Sequence, residues 1–293
     1  MLNVLVTGAG GQLGSELRTA AAGSADNYIF TDIAELDITD AAAVARMVRE
    51  CGADVIVNCA AYTDVERAET QPDAAMLLNR DAVGFMAAAA AECGALMIHI
   101  STDYVFGSGT HNTPFAEEDA VAPSCVYGAA KLAGERAVAE SGCRHIIFRT
   151  SWLYSPFGRN FVNTMLSLTA SRDSVSVVFD QTGTPTRAAG LARLIFRIID
   201  SRLFDGREGI YHYSDEGVCS WYDFAVEIAR LAGSKCRVEP CRSAEFTSRV
   251  ARPAYSVLDK SRVKRVFGIE IPHWRDSLAE HFRELNQSPC GGK

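Results

Sequence analysis

The chain has 293 residues, of which 48% are hydrophobic and 22% are charged, and its formal net charge is −7. These values suit one or two globular domains, and the acidic balance gives no electrostatic reason to expect nucleic acid or an anionic membrane as a partner. We find no apolar run long enough to span a bilayer and no signal-peptide pattern, so we expect a cytoplasmic protein. The nine cysteines include no Cys-x-x-Cys pair, which favours buried free thiols over disulfides or a zinc site.

The first predicted elements form a strand, a glycine turn and a helix. Residues 2–7 are a short apolar run that predicts a strand buried on both faces, and a helical pattern starts at about residue 15. Between them lie Gly8, Gly11 and Gly14. Glycines in this position let the backbone approach a pyrophosphate at a helix N-terminus. The pattern therefore predicts a dinucleotide-binding turn rather than only a tight connection.

An acidic residue closes the second predicted strand, which covers residues 28–31. Asp32 follows it, and a carboxylate at this point of a dinucleotide-binding fold accepts hydrogen bonds from the adenosine ribose. Because no arginine follows closely to hold a 2′-phosphate, the segment favours NADH, and use of NADPH stays open. Asp37 and Ile38 come next, ahead of a predicted helix over residues 40–51.

Two further buried strands are predicted at residues 55–58 and 96–100. The first is followed by Cys-Ala-Ala-Tyr-Thr, and the second by Thr102 in the segment Ser-Thr-Asp-Tyr-Val-Phe. Parallel strands end at one edge of a sheet, which is the edge where doubly wound sheets bind ligands. We therefore expect the small residues to lie against a cofactor and the Thr102 hydroxyl to donate to a substrate carbonyl.

Tyr127 and Lys131 are four residues apart on a predicted helix, so they share one face. A phenol in water has a pKa near ~10, and a nearby ammonium favours the phenolate. We expect Lys131 to lower the pKa of Tyr127, so that the phenol can protonate an alkoxide. By itself the pair could be an exposed aromatic beside a solvated lysine. The glycine turn and Thr102 favour the catalytic interpretation.

Six segments together resemble one family, the dTDP-4-dehydrorhamnose reductases, which are extended short-chain dehydrogenases. The segments are Gly8–Gly14 (Gly-x-x-Gly-Gln-Leu-Gly), Ser101–Phe106, Tyr127–Glu135 (Tyr-Gly-x-x-Lys-Leu-x-Gly-Glu), Arg149–Trp152 (Arg-Thr-Ser-Trp), Asp180–Thr186 (Asp-Gln-x-Gly-x-Pro-Thr) and Arg252–Ser256 (Arg-Pro-x-Tyr-Ser). The Tyr-Lys pair marks only the superfamily, whereas Ser101–Phe106 and Arg149–Trp152 are narrower signals. The resemblance covers most of the chain.

The resemblance implies reduction of dTDP-4-dehydro-L-rhamnose to dTDP-L-rhamnose with NADPH or NADH, the last step of dTDP-rhamnose biosynthesis. It assigns catalysis to Thr102, Tyr127 and Lys131. The residues expected at the cofactor are Gly8, Gly10, Gly11, Gln12, Leu13, Asp32, Asp37, Ile38, Ala60, Ala61, Thr63, Tyr127 and Lys131. The residues expected at the sugar nucleotide are Thr102, Tyr104, Val105, Trp152 and, as a cation for the diphosphate, Arg187.

Some members of the family bind Mg²⁺ between two subunits through glutamates. Glu16 matches one of them, but the segment after Thr186 reads Arg187-Ala188-Ala189 and lacks the acidic residue. The missing acidic residue argues against a dimer bridged by Mg²⁺. A homodimer stays open, and no metal ligand is assigned.

The second half of the chain predicts a smaller lobe. We divide the chain into a Rossmann-type, doubly wound parallel α/β domain and an interleaved α/β substrate-binding lobe. The domain comprises residues 1–154 plus about 174–214, and the lobe comprises about 155–173 plus 215–293.

Several residues keep two interpretations. Arg187, Arg249 and Arg252 are either cations for a nucleotide diphosphate or solvated surface charges. Asn79, in the middle of a long predicted helix, is either an ordinary polar residue or a brace beneath the site. Trp152 is either a core residue or a side chain that stacks on the sugar.

Two other functions stay open. One is a sugar-nucleotide epimerase or dehydratase of the same superfamily. A dehydratase needs an acid-base carboxylate pair after the threonine, whereas here Asp103 is followed by Tyr104. The other is a dinucleotide-binding regulatory subunit, like the β subunit of methionine adenosyltransferase. The intact set of Thr102, Tyr127 and Lys131 argues against it.

Overall fold

The computed structural model describes residues 1–107, 112–245, 248 and 250–287. The strands are β1 Asn3–Thr7, β2 Asn27–Thr31, β3 Val55–Asn58, β4 Leu96–Thr102, β5 Arg144–Thr150, β6 Leu153–Tyr154, β7 Ser174–Val178, β8 Thr182–Gly183, β9 Thr186–Arg187, β10 Gly209–His212, β11 Cys219–Ser220 and β12 Arg237–Cys241. The α-helices are α1 Gln12–Ala20, α2 Ala41–Glu50, α3 Val65–Ala68, α4 Pro72–Met76, α5 Ala82–Cys93, α6 Val126–Glu140, α7 Phe161–Ser171, α8 Ala188–Asp200, α9 Trp221–Leu231, α10 Ser261–Phe267 and α11 Trp274–Gln287.

Six parallel strands form the central sheet in the order β10-β5-β4-β3-β1-β2. The chain builds outward from β1 in both directions, which makes the crevice between β1 and β3 the switch point where such sheets bind ligands. Thr7 is paired in register with Asn58, and Thr102 with Thr150, so the carboxyl ends of the strands meet at one edge. The predicted doubly wound parallel α/β fold is confirmed.

The two faces of the sheet are covered by different parts of the chain. One face packs against α1, α8 and α10 and forms a core that we call the α8-side core; its buried residues extend from Val4 to Ile271. The opposite face packs against α2, α5 and α6 and forms the α5-side core, whose buried residues all lie between Leu5 and Ile147. Strands buried on both faces explain the nearly continuous apolar runs in the sequence.

A third cluster of buried apolar residues lies outside the sheet. It joins side chains of α7, α9 and α11 with Val175 and Val177 of β7, and β7 pairs with β12. Residues 174–178 were expected in the nucleotide-binding domain, whereas Val175 and Val177 pack into the third cluster. By contrast, β10 joins the main sheet beside β5. The domain division stays a prediction.

The long helix predicted around Asn79 is divided into α4, a π-helical turn over Leu77–Asp81, and α5. Gly134 of α6 lies directly against this turn, since a Cβ placed on Gly134 would be 2.1 Å from the Asn79 carbonyl oxygen. Single π turns often occur at functional sites. None of the helices in the described part of the chain has both the length and the apolar character needed to span a membrane.

Candidate active site

The glycine turn connects β1 to α1 at the switch point of the sheet. Gly8 has a φ of +65°, and a Cβ there would lie 2.6 Å from the backbone nitrogen of Ala60. A Cβ on Gly14 would lie 2.4 Å from the Gly8 carbonyl oxygen. The missing side chains therefore let three backbone segments touch, and the first turn of α1, which follows Gly11, keeps free N–H groups that favour phosphate.

The other residues expected in the turn have different surroundings. The backbone N–H of Gly10 donates to Asp32 at 2.8 Å. The Gln12 side chain accepts a hydrogen bond from Asn160 at 3.0 Å, and Leu13 is buried in the α8-side core. Gln12 and Leu13 can therefore reach a cofactor through their backbone, and their cofactor assignment stays a prediction.

The acidic segment after β2 begins with Asp32, which is exposed and also accepts the backbone N–H of Ile33 at 2.8 Å. The Asp37 carboxylate accepts the hydroxyl of Thr39 at 2.7 Å. The Ile38 side chain is buried in the α5-side core. Asp32 is thus the residue in this segment whose placement fits a ribose contact best, and Asp37 and Ile38 stay predictions.

The loop after β3 is held by two buried amides. Asn58 accepts hydrogen bonds from the Thr7 hydroxyl at 2.8 Å and from the Ala60 backbone N–H at 3.1 Å. Asn79, which is fully buried, accepts from the Tyr62 N–H and donates to the Tyr62 carbonyl, both at 2.9 Å. Of the two interpretations of Asn79, the structure shows the brace.

Ala60, Ala61 and Thr63 lie on this braced loop beside the glycine turn. The two alanines are partly exposed and Thr63 is exposed. Their small side chains leave the backbone open to a flat ligand, which suits the expected cofactor contact, and that contact stays a prediction.

The three expected catalytic residues come together where β4 ends and α6 begins. Thr102 is the last residue of β4, and a hydrogen bond joins it to the Tyr127 phenol. Gly128 permits this approach, because a Cβ there would lie 2.5 Å from the Tyr104 carbonyl oxygen. One helical turn further on, the buried Lys131 ammonium donates to the Ile100 carbonyl at 2.6 Å.

The pKa values of Tyr127 and Lys131 differ from the prediction. Burial raises the pKa of Tyr127 above its ordinary value, although the hydrogen bond with Thr102 opposes that effect. Burial lowers the pKa of Lys131 to about 8. The expectation that Lys131 lowers the pKa of Tyr127 is therefore wrong for the protein by itself: desolvation dominates, and the ammonium is directed to the Ile100 carbonyl.

Of the residues expected at the sugar nucleotide, Tyr104 lies beside the catalytic residues, whereas the Val105 side chain does not. The Tyr104 ring meets the Tyr127 ring edge-on, with 5.5 Å between centroids. The Val105 side chain is fully buried in an apolar cluster with Phe106 and Phe115, so any ligand contact from Val105 can involve only its backbone. The Tyr104 ring thus lies beside the catalytic phenol, whereas the Val105 side chain packs in the protein interior.

Trp152 leaves β5 with a φ of +47°, which is uncommon for a residue with a side chain and recurs at functional sites. Its indole stacks on Trp221, with 3.6 Å between ring centroids and an interplanar angle of 11°. The sequence carries no signal for this stack, because Trp152 and Trp221 are far apart in the chain. Contact of Trp152 with a sugar stays a prediction.

Arg187 is placed differently from the expectation of a diphosphate contact. Its side chain is only 2% exposed and forms ion pairs with Glu284 and with Glu280, the latter at 2.8 Å. Both partners belong to α11, so the guanidinium is already paired with two carboxylates of the same chain. Arg252 pairs with Glu66 of α3 at 3.4 Å, and its charge acts on Tyr104, which puts it nearer to the catalytic phenol. Arg249 lies outside the described residues.

Glu16, which matches a magnesium-binding glutamate of the family, lies within reach of the Arg187 charge. Burial raises the pKa of Glu16, and the Arg187 guanidinium opposes that shift. Arg187 thus already supplies the positive charge beside Glu16 and Glu284. Within the described ranges, no group of three or more His, Cys, Asp or Glu side chains could hold a metal ion. Because the Arg187 guanidinium already neutralises Glu284 and acts on Glu16, these described residues do not fit a divalent cation.

Sequence reasoning missed two buried carboxylates near the catalytic residues. Asp103 accepts the Thr102 hydroxyl at 3.0 Å, and burial raises the pKa of Asp103 to about 6. Glu135 accepts hydrogen bonds from Ser101 and Arg149. A signal for Glu135 was present, because it follows Lys131 at the same four-residue spacing that links Lys131 to Tyr127.

Comparison with known proteins agrees with this geometry. Residues 2–287 match the model of the RmlD substrate binding domain family. A dTDP-4-dehydrorhamnose reductase of Sinorhizobium fredii is 39% identical, with 94% of this chain and 95% of that protein covered.

Two solved structures are also similar over nearly the whole chain. A dTDP-4-dehydrorhamnose reductase from Clostridium acetobutylicum has a TM-score of 0.93 and 41% identity, with 98% of this chain and 100% of that chain covered. The enzyme of the same name from Bacillus anthracis, in complex with NADP, has a TM-score of 0.90 and 38% identity, with 97% and 99% covered. The chain therefore belongs to the RmlD substrate binding domain family, as its resemblance to the dTDP-4-dehydrorhamnose reductases predicted.

Proposed function

We propose that this protein reduces dTDP-4-dehydro-L-rhamnose to dTDP-L-rhamnose with NADH or NADPH. The observation that carries the proposal is the hydrogen-bonded pair of Thr102 and Tyr127 at the carboxyl edge of the sheet, on the same edge as the glycine turn. This arrangement suits reduction of a carbonyl. The names of the relatives support the choice of sugar nucleotide.

The residues of the turn fit a nicotinamide dinucleotide. Side chains are absent where Gly8 and Gly14 meet neighbouring backbone, α1 begins with free N–H groups, and Asp32 lies at the ribose end. When bound, the reduced cofactor supplies a hydride to the carbonyl carbon. The fit does not extend to Mg²⁺, so no step depends on a metal.

The side chains of the site provide the proton and hold the carbonyl. The Thr102 hydroxyl, which donates to Asp103 at 3.0 Å, can rotate to donate to the carbonyl oxygen. Because burial raises the pKa of Tyr127, the phenol carries its proton before the reaction and can transfer it to the developing alkoxide. Lys131 then stabilises the phenolate that is left and holds the nicotinamide ribose.

A cofactor assay tests the proposal. Purified protein, dTDP-4-dehydro-L-rhamnose and NADH or NADPH should oxidise one equivalent of cofactor for each dTDP-L-rhamnose formed. An epimerase or dehydratase would convert a sugar nucleotide without net cofactor consumption, and a regulatory subunit would bind the dinucleotide without turnover. Either result would contradict the proposal and identify the alternative.

The proposal includes a cytoplasmic location and a small-molecule sugar nucleotide as the partner, with no nucleic acid or membrane partner. The homodimer also belongs to the proposal. Light scattering of the purified protein, with and without a chelator, measures the oligomeric state and whether any dimer depends on a divalent cation.

A further inference from the structure

Helix α6 is attached to strand β4 by three side chains, one from each successive helical turn. Tyr127 is hydrogen-bonded to Thr102, Lys131 donates to the Ile100 carbonyl at 2.6 Å, and Glu135 accepts the Ser101 hydroxyl. The three strand positions are consecutive. The helix therefore cannot slide or rotate along the strand without breaking contacts at the catalytic residues themselves.

Glu135 is the most firmly held of the three side chains. Its carboxylate is 4% exposed and accepts two hydrogen bonds from Arg149, from Nε at 2.9 Å and from Nη2 at 2.7 Å. Arg149 is the register partner of Ser101 on the neighbouring strand, and its guanidinium lies 5.1 Å from the centre of the Phe106 ring. Bidentate pairs of this kind fix the direction of both side chains.

We infer that Glu135 is a positioning residue of the reduction: it fixes α6 against β4 and places a negative charge one helical turn from Lys131. The inference rests on the proposed function for its role in the reaction, but its effect on Lys131 is a property of the protein by itself.

The charges around Lys131 support this role. The groups around it are Tyr127 and Glu135, one helical turn before and after it on α6, and His99 of β4, on which its charge acts. Burial, with a contribution from Lys131, lowers the pKa of His99 well below its usual value, so that the imidazole is neutral. Burial raises the pKa of Tyr127, so the phenol is neutral as well. Among these groups, Glu135 therefore carries the negative charge.

The effect on Lys131 has a definite sign. Burial lowers the pKa of Lys131 to about 8, and the Glu135 carboxylate opposes that shift. Without the carboxylate, desolvation would act alone and the ammonium would lose its proton closer to neutral pH. A neutral amine cannot stabilise the phenolate that Tyr127 leaves after proton transfer.

The composition of the chain makes Lys131 easy to observe. The sequence contains five lysines, and Lys131 is the only one among residues 1–234. With ¹³C-labelled lysine, the Cε signals can be followed by NMR as the pH changes, and a Lys131→Arg variant assigns the signal. We expect Lys131 to titrate near pH 8 in the wild type.

The decisive variant is Glu135→Gln, which keeps the shape of the side chain and removes its charge. We expect the Lys131 midpoint to fall by about one pH unit or more, and Glu135→Asp to return it most of the way. The signal of the exposed Lys235 is the internal control and should not move. An unchanged Lys131 midpoint in folded Glu135→Gln protein would overturn the inference.

Glu135→Gln leaves Arg149 as a buried cation without its partner, which can prevent folding. In that event the double variant Glu135→Gln, Arg149→Met is compared with Arg149→Met alone, and the Lys131 midpoint must be lower in the double variant. Equal midpoints in these two variants also contradict the inference.

Activity provides the second measurement. In Glu135→Gln, kcat should fall about fivefold or more at pH 8 and less at pH 6.5, with KM changed much less, because more of the ammonium is lost at the higher pH. A loss of kcat that is equal at both pH values would indicate a structural role alone. Because the NMR titration needs no substrate, it stays informative even if the wild type does not reduce the dTDP sugar.

Discussion

Asp32 accepts a hydrogen bond from the backbone N–H of Gly10 at 2.8 Å, which joins the end of β2 to the glycine turn after β1. Glu35 lies close by, because its carboxylate accepts the Asp32 backbone N–H at 2.9 Å. The nine residues from Asp32 to Asp40 contain four acidic residues and no basic one. This end of the site can accept hydrogen bonds from ribose hydroxyls, and it repels a phosphate.

We therefore predict that the wild type prefers NADH, with a kcat/KM at least about tenfold higher than with NADPH, which corresponds to about 1.4 kcal/mol. Asp32→Ser should reduce this ratio of kcat/KM values, because it weakens the binding of NADH and removes the repulsion of the 2′-phosphate of NADPH. The exposed Glu50, at the end of α2, provides a Glu50→Gln control that removes one negative charge elsewhere. Steady-state kinetics with both cofactors measure the ratio, and a wild-type preference for NADPH would contradict the prediction.

Tyr127→Phe removes the proton donor and keeps the ring that packs beside Tyr104. We expect kcat to fall about 10²- to 10⁴-fold, because general acid catalysis contributes about that much, while the Kd for NADH changes less than about threefold. Tyr211→Phe is the matched control, since the Tyr211 hydroxyl donates to the Arg207 carbonyl and lies away from the site. Near-wild-type turnover in Tyr127→Phe would exclude the phenol as the acid.

Gly8→Ala and Gly23→Ala separate backbone strain from steric contact. Both glycines have positive φ, +65° and +84°, so alanine is strained at either position by about 1 kcal/mol or more. A Cβ on Gly23 would have no neighbour within 4 Å, whereas one on Gly8 would lie 2.6 Å from the Ala60 nitrogen. Gly8→Ala should therefore lower the free energy of unfolding further and abolish NADH binding. Urea unfolding and a fluorescence titration with NADH measure both effects; equal stability losses would show that the contact with Ala60 is unimportant.

Arg187→Met tests whether Arg187 supports the fold or the substrate. Its guanidinium is buried, but its carboxylate partners Glu280 and Glu284 are 38% and 51% exposed, so they can recover water when the pair is lost. We expect the free energy of unfolding to drop by about 1–3 kcal/mol, with KM for the sugar nucleotide unchanged. Arg193→Met, at an exposed arginine 4.0 Å from Glu280, should cost less than about 0.5 kcal/mol. A large rise in KM with unchanged stability would instead indicate that Arg187 contacts the diphosphate of the substrate.

His281→Leu should reduce the sensitivity of the protein to acid. His281 is buried, both ring nitrogens lack a partner among the described residues, and burial lowers its pKa from 6.5 to about 4. Because the unfolded chain binds the proton more tightly, this residue's contribution to stability is complete above pH 6.5 and is lost as the pH falls from 6.5 to 4. Urea unfolding at several pH values measures the slope. A variant with the same or a steeper loss of stability in this range would contradict the assignment.

Local patterns in the sequence predicted much of the sheet and of the catalytic group. The apolar run at residues 55–58 coincides with β3, and the four-residue spacing put Tyr127 and Lys131 on one face of α6. Both follow from the geometry of a few neighbouring residues. The expected glycine turn likewise needed only residues 2–20.

The structure differs from the sequence-based expectations where segments that are distant in the chain meet. Nothing in the sequence places Arg187 against Glu284, 97 residues away, or the strand at residues 174–178 against β12. The direction of the Tyr127 pKa shift depends on how completely the phenol is desolvated, which is set by packing from several elements. Residue types and spacing identify the functional groups of the site. The burial and the partners of those groups can be read only from the folded chain.

The two faces of the central sheet depend on different lengths of chain, and this has a consequence for synthesis on the ribosome. The buried residues of the α5-side core have all been made once residue 147 is added, together with Thr102, Tyr127 and Lys131. The α8-side core still lacks α8 and α10 at that point, so of its helices only α1 is present to cover Val4, Val6 and Ile98. A nascent chain that stalls before about residue 200 therefore presents one finished layer and one incompletely covered apolar face, which makes such fragments targets for chaperones and prone to aggregation.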